Sequence, residues 1–194
     1  MKSSFEAIDD GQTPLDRDEA TGLRQDWITT RADLNLAEEE NIRTGIAWAQ
    51  RTGKRGNVLT QTFLREPHAR LFGLVWDWAG SYRHTERNIG VAPHAISSDL
   101  QNLFDDALAW KASGTYEIDD RAARLHHRLT WIHPFPNGNG RCARVFADTY
   151  LRAAGVNAFS WGTEHNGRAR EKYLAALRRA DAHDYAPLLA FVRN

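Results

Sequence analysis

The sequence predicts a mostly α-helical protein of about seven helices, and three observations carry that reading. Apolar residues recur at helical spacing, most clearly at Ile118, Ala122, Leu125, Leu129 and Ile132, which step by four, three, four and three. Capping residues and glycines fall where such stripes begin and end. Strand-like alternation is almost absent. Residues 1–34 are polar and broken by Gly11 and Pro14, so they read as an extended arm. Residues 35–194 read as one domain.

The helices follow in order. Asn35, with Glu38 three residues on, is placed to cap a helix running to about Arg51, with Gly53 past its end. Thr60 caps the next, through Leu64, His68, Leu71 and Phe72, where Pro67 predicts a kink or restart. Residues 76–95 lose helical spacing and read as a long loop with a small β-hairpin. Ser98 and Gln101 match a capping box for a helix over 98–112 that Gly114 ends. Asp119 and Asp120 favour the start of the 118–132 helix, and Pro134 turns His133 out of it. A helix with Cys142, Val145, Phe146 and Thr149 on its apolar side ends at Gly155. Another spans about 165–180, and a last short one follows Asp184.

The chain has 194 residues and a formal net charge of zero, but the charge is uneven. Residues 1–30 carry seven acidic side chains against three basic ones; residues 121–180 carry eleven basic against three acidic. Such a field attracts a polyanion, either a nucleic acid or a small polyphosphate. No groove-reading helix is evident, so nucleic acid is the poorer candidate. No run reaches the ~20 apolar residues of a membrane span. Cys142 is the single cysteine, which rules out an internal disulfide and fits the cytoplasm.

The chemistry concentrates in residues 133–144. Asn137, Gly138, Asn139 and Gly140 lie directly before a helix. Glycines admit close approach of a ligand, and the helix start offers unpaired N–H groups and a positive dipole end. Arg141 and Arg144 share a face of the first turn, where guanidinium forks suit phosphate oxygens. His133 precedes the loop and titrates near neutrality in its ordinary state, as a general base should. A Walker A loop is excluded because no Gly-Lys-Ser/Thr follows, and a Rossmann loop because no strand precedes.

His133-Pro134-Phe135-x-x-Gly138-Asn139-Gly140-Arg141-x-x-Arg144 resembles the signature of the Fic (Fido) domain family. Trp78-Ala79-Gly80-x-Tyr82-Arg83 with Asn88-Ile89-Gly90 resembles the family's segment leading into its target-aligning flap. Tyr173-Leu174-Ala175-Ala176-Leu177 resembles its C-terminal helices. In overall form the chain is similar to the small Fic proteins called mobile mystery protein B. The resemblance implies a Fic-fold helical bundle with a short β-hairpin flap. It implies transfer of AMP from ATP to a Ser, Thr or Tyr hydroxyl of a target protein. His133 would be the base, Phe135 the loop anchor, and Gly138, Asn139 and Gly140 the anion hole. Arg141 would bind the β-phosphate and Arg144 the γ-phosphate. Arg83, Asn88, Ile89, Gly90 and Val91 would align the target. Asn137 stands where the family usually carries Asp or Glu, so Mg²⁺ (or Mn²⁺) would be held more weakly.

Many family members are silenced by a helix ending Glu-Gly or Glu-Asn. Glu40-Asn41 resembles that ending, with Leu36 where a hydroxyl residue belongs; a solvated helix face is the competing reading. A separate antitoxin-like chain is the other mode of control the resemblance implies. The other chemical readings are transfer of a different nucleotide, phosphoryl transfer, or AMP removal. A catalytically weak nucleotide- or protein-binding module is a rival of another class. The location expected is the cytoplasm, of the producing cell or of a host.

Overall fold

The computed structural model describes residues 22–52, 57–162 and 167–194. Most of the expected arm, and the expected stop at Gly53, lie outside these residues. Seven α-helices run through the described residues: α1 Arg31–Thr52, α2 Gln61–Phe72, α3 Ile96–Ser113, α4 Ile118–Ile132, α5 Asn139–Ala153, α6 Gly167–Asp181 and α7 Ala186–Val192.

Three boundaries differ from the sequence reading, each for a local reason. Helix α1 starts before Asn35, because Thr30 and Asp33 cap it reciprocally. Thr30 Oγ1 accepts the Asp33 N–H at 3.2 Å, and Asp33 Oδ2 accepts the Thr30 N–H at 2.9 Å. Helix α2 runs unbroken through Pro67, so there is no restart. Helix α3 begins at Ile96, out of a 3-10 turn over Pro93–Ala95. Ser98 therefore lies inside the helix, and its hydroxyl donates back to Ala95 O at 2.9 Å instead of capping.

Helix α4 is the spine. It packs against α3, α5 and α7 and buries Ala122, Ala123, Leu125, His126, His127, Leu129 and Ile132. Phe104 of α3 stacks on Phe146 of α5 at 5.7 Å. Helices α1 and α2 are bolted together by buried Asn41, whose Nδ2 donates to Arg70 O while its Oδ1 accepts the Leu74 N–H, both at 2.9 Å.

The expected hairpin over 76–95 is not formed as a strand ladder. Among the described residues the one bridge joins Leu23 to Trp76. It is flanked by Arg24 N–H to Val75 O at 2.8 Å and Asp77 N–H to Gly22 O at 2.9 Å. The flap segment is instead held by a buried side chain, described next.

Candidate active site

His133 is placed by the way α4 ends. Its N–H closes the last turn on Leu129 O at 3.1 Å, and the residue then turns left-handed at φ 54° and ψ 59°. Pro134 prevents the helix from continuing. The imidazole is buried, and its Nδ1 lies 3.3 Å from Thr130 O. A carbonyl can only accept, so Nδ1 carries the hydrogen and the lone pair sits on Nε2. Burial pushes the His133 pKa down to about 4, helped by the charges of Arg83 and Arg87 and opposed by the Thr130 bond. The ring is therefore neutral at physiological pH and can accept a proton.

Arg83 ties the flap to this corner. Only 2% exposed, it donates from Nε to His133 O at 2.7 Å, from Nη1 to Thr85 O at 2.9 Å, and from Nη2 to Val91 O. Its own N–H meets Pro134 O at 2.9 Å, and the Val91 N–H meets Ile132 O at 3.3 Å. One guanidinium thus replaces the hydrogen-bond ladder of the expected hairpin. Asn88, Ile89 and Gly90 are exposed at the top of this loop.

The loop from Phe135 to Gly140 is fixed from inside. Phe135 is buried and stacks on His68 of α2, ring centres 3.8 Å apart. His68 Nδ1 accepts the Gly80 N–H at 2.9 Å, so its Nε2 carries the hydrogen donated to Asn137 O at 2.9 Å. Asn139 is also buried: its Oδ1 accepts the Phe135 N–H and its Nδ2 donates to Phe135 O, both at 2.8 Å. The Asn139 side chain thus shapes the loop from within, leaving its backbone N–H at the helix start.

The two glycines differ. Gly138, the N-cap of α5, has φ +75°, and a Cβ there would lie 2.4 Å from the Phe72 ring. Gly140 has ordinary dihedrals, and a Cβ there would meet nothing within 4 Å. The fold requires the first glycine and not the second; the second keeps open the space before the N–H groups of α5.

Arg141 is largely exposed, and its Nη1 lies 3.4 Å from Glu38 Oε2 of α1. The other Glu38 oxygen accepts the buried Trp76 indole N–H at 2.9 Å. Arg144 lies with its guanidinium carbon 4.7 Å from the Tyr173 ring centre and 5.8 Å from that of Trp161, and its buried Nε has no partner among the described residues. Glu40 reaches neither arginine; it pairs with Arg43 on its own exposed face at 2.7 Å.

Residues 58–151 match the family model for the Fic/DOC family. This is a Fic domain. Through it the chain belongs to the Fic/DOC family. It is 30% identical to "Protein adenylyltransferase Fic" of Aedes aegypti over 144 residues, 72% of this chain and 28% of that protein. Its structure superposes on Fic-1 from C. elegans with a TM-score of 0.65 at 26% identity, covering 80% of this chain and 48% of that one. The N-terminal FIC domain of Bep8 from Bartonella sp. 1-1C shares the fold, with a TM-score of 0.71 at 17% identity, covering 89% and 90%. The chain thus spans under a third of the length of the Aedes aegypti relative.

The Fic motif residues His133, Phe135, Asn137, Gly138, Asn139, Gly140, Arg141 and Arg144 come together at the α4–α5 turn, under the flap. Two residues of this Fic site escape the motif. His68 supports the loop and Glu38 faces Arg141. His68 resembles any core position of α2 in sequence. Glu38 could have been singled out only by knowing which face of α1 meets Trp76.

A magnesium ion has a sparse donor set here. The loop offers it one neutral oxygen, Asn137 Oδ1, which already accepts the Gly138 N–H at 2.6 Å. Among the described residues no group of three or more His, Cys, Asp or Glu is gathered for a metal. The arrangement suits an ion carried in by phosphate oxygens rather than one held by the protein alone.

Proposed function

We propose that the chain is a protein adenylyltransferase, moving AMP from ATP to a Ser, Thr or Tyr hydroxyl of a target protein. The observation that carries this reading is the neutral, Nδ1-protonated His133, set one short loop before the glycine-opened start of α5 and its two arginines. The adenylyltransferase names of the relatives support it.

In the proposed step the target oxygen attacks the α-phosphorus, and its proton passes to His133 Nε2. The bond from the α-phosphorus to its bridging oxygen breaks, and pyrophosphate leaves. The N–H groups of Asn139, Gly140 and Arg141, which have no partner within the helix, would hold phosphate oxygens. Arg141 would take the β-phosphate and Arg144 the γ-phosphate. Mg²⁺ would arrive with the triphosphate, with Asn137 Oδ1 as its one loop ligand. The target backbone would lie along residues 88–91, pinned there by Arg83. Arg83 is thus a positioning residue that acts through backbone carbonyls.

Control in this reading falls to Glu38, which holds Arg141 until a phosphate displaces it, or to a separate antitoxin-like chain. ATP as donor is consistent with the cytoplasm, of the producing cell or of a host. Among the described residues no helix is long and apolar enough to cross a membrane.

The test uses α-labelled and γ-labelled ATP with Mg²⁺ or Mn²⁺ and a cell lysate, alongside His133→Ala. Protein label from the α position that vanishes in His133→Ala is the expected result. Label from the γ position alone means phosphoryl transfer. No label with any nucleotide makes the chain a binding module, and both results overturn the reading.

A further inference from the structure

A cleft of about 350 Å³ lies at the far end of α4 and α5 from His133. It sits between the start of α4 at Ile118 and Arg121, the end of α5 at Tyr150, the end of α3 at Lys111, and residues 57–59. Helix α4 has fifteen residues, which puts the cleft about 20 Å from the histidine. Volumes from about 300 Å³ upward accommodate small organic ligands.

The lining has two chemistries. Val58, Leu59, Leu108 and Ile118 make apolar walls. Arg121 and Tyr150 bring polar atoms that are fully screened from solvent: among the described residues, Arg121 Nε and the Tyr150 hydroxyl have no hydrogen-bond partner. The carboxylates nearest in sequence to Arg121 are already taken. Asp119 is held by Arg193, and Asp120 pairs with Arg124 at 2.8 Å. Among the described residues the Arg121 guanidinium has no carboxylate partner, an uncommon state for a half-buried cation. Burial raises the Tyr150 pKa, which keeps its hydroxyl protonated and able to donate. Lys111, exposed at the edge, adds a second positive charge.

We propose that this cleft binds a small carboxylate with an apolar body, its headgroup on Arg121 and Tyr150 and its tail along Val58, Leu59, Leu108 and Ile118. A guanidinium fork and a phenol hydroxyl are donors that a planar carboxylate can satisfy together. The apolar walls exclude a bare inorganic anion as the fitting ligand, because they would be left without contacts. The site is separate from the His133 loop and stands whatever reaction that loop performs.

Calorimetric titration of the full chain with sodium octanoate tests it, with 1-octanol and sodium acetate as comparison probes. Octanoate binds saturably, octanol at least tenfold more weakly for want of a charge, and acetate undetectably for want of a tail. Arg121→Met weakens octanoate at least tenfold. Leu108→Glu does the same by placing a carboxylate at the mouth. Leu108 is 44% exposed, so that variant keeps its fold even where Arg121→Met does not, and thermal melting of each unliganded variant checks this. The proposal is overturned by absence of saturable octanoate binding, by octanol or acetate matching octanoate, or by unchanged affinity in folded Leu108→Glu.

Discussion

Gly90 lies directly against His133: a Cβ on Gly90 would sit 2.7 Å from the His133 Cβ and 2.8 Å from Arg83 Nη2. At φ +101° the backbone there is also one that L side chains rarely adopt. The flap can cover the histidine only because this residue has no side chain. Gly90→Ala should cost about 1–3 kcal/mol of stability. It should lower kcat/KM for protein modification roughly a hundredfold, since displacing reacting groups by an ångström has that effect. Urea unfolding and initial-rate assays read the two effects, and an unimpaired rate would detach the flap from catalysis.

The two loop glycines should separate folding from binding. Gly138→Ala drives a methyl into the Phe72 ring, so its melting temperature should fall by several degrees. Gly140→Ala enters open space at an ordinary φ, so its melting temperature should hold or rise slightly. Its affinity for ATP should nevertheless drop at least tenfold if phosphates approach the backbone there. Thermal melting with and without ATP distinguishes the pair.

Glu38 and ATP should compete for Arg141. Glu38→Gln keeps an oxygen for the Trp76 indole, a bond of 2.9 Å, while removing the charge that faces Arg141. The pair is partly exposed and worth about 0.2–1 kcal/mol, so ATP affinity should rise by about 1.4- to 5-fold. Glu40→Gln should leave it unchanged, because Glu40 pairs with Arg43. Calorimetric titration of both variants checks this, and equal affinities would remove Glu38 from any role in control.

Acid should weaken the fold over a defined range. Burial holds the pKa of His68 and His133 down to about 4 and that of His126 to about 3. Unfolded histidine titrates near 6.5, so between pH 6.5 and 4 the unfolded chain binds more protons than the folded one. Stability contributed by the three neutral rings is therefore complete above pH 6.5 and declines as the pH falls toward 4. The same shift in His133 moves the acid limb of the pH–rate profile toward pH 4–5. Urea unfolding at pH 7, 6 and 5 and a kcat/KM profile measure the two, and an acid limb at pH 6.5 would mean that the reacting His133 is not held down by burial.

The sequence made the helices and the glycine loop before α5 legible because both are local. The stripe from Ile118 to Ile132 needs only the period of a helix, and the glycines and arginines of 138–144 need only a helix start behind them. What escaped depends on contacts distant in sequence. Glu38 and Glu40 are two residues apart, which puts them on opposing sides of α1, and only the packing of Trp76 selects between them. Arg83 reads as one of several target-aligning flap residues, yet its bonds to His133 O and Val91 O bury it beneath the flap. Ser98 and Gln101 imitate a capping box, but Pro93 starts the turn that leads into α3 three residues before Ile96.

The left-handed backbone at His133 sets two demands on one position. A helix that stops in this conformation favours glycine, whereas the proposed reaction needs an imidazole there. Durability and turnover consequently pull this residue in opposite directions. Of two variants that both lack the ring and transfer nothing, His133→Gly should melt higher than His133→Ala, because only glycine adopts this backbone without strain.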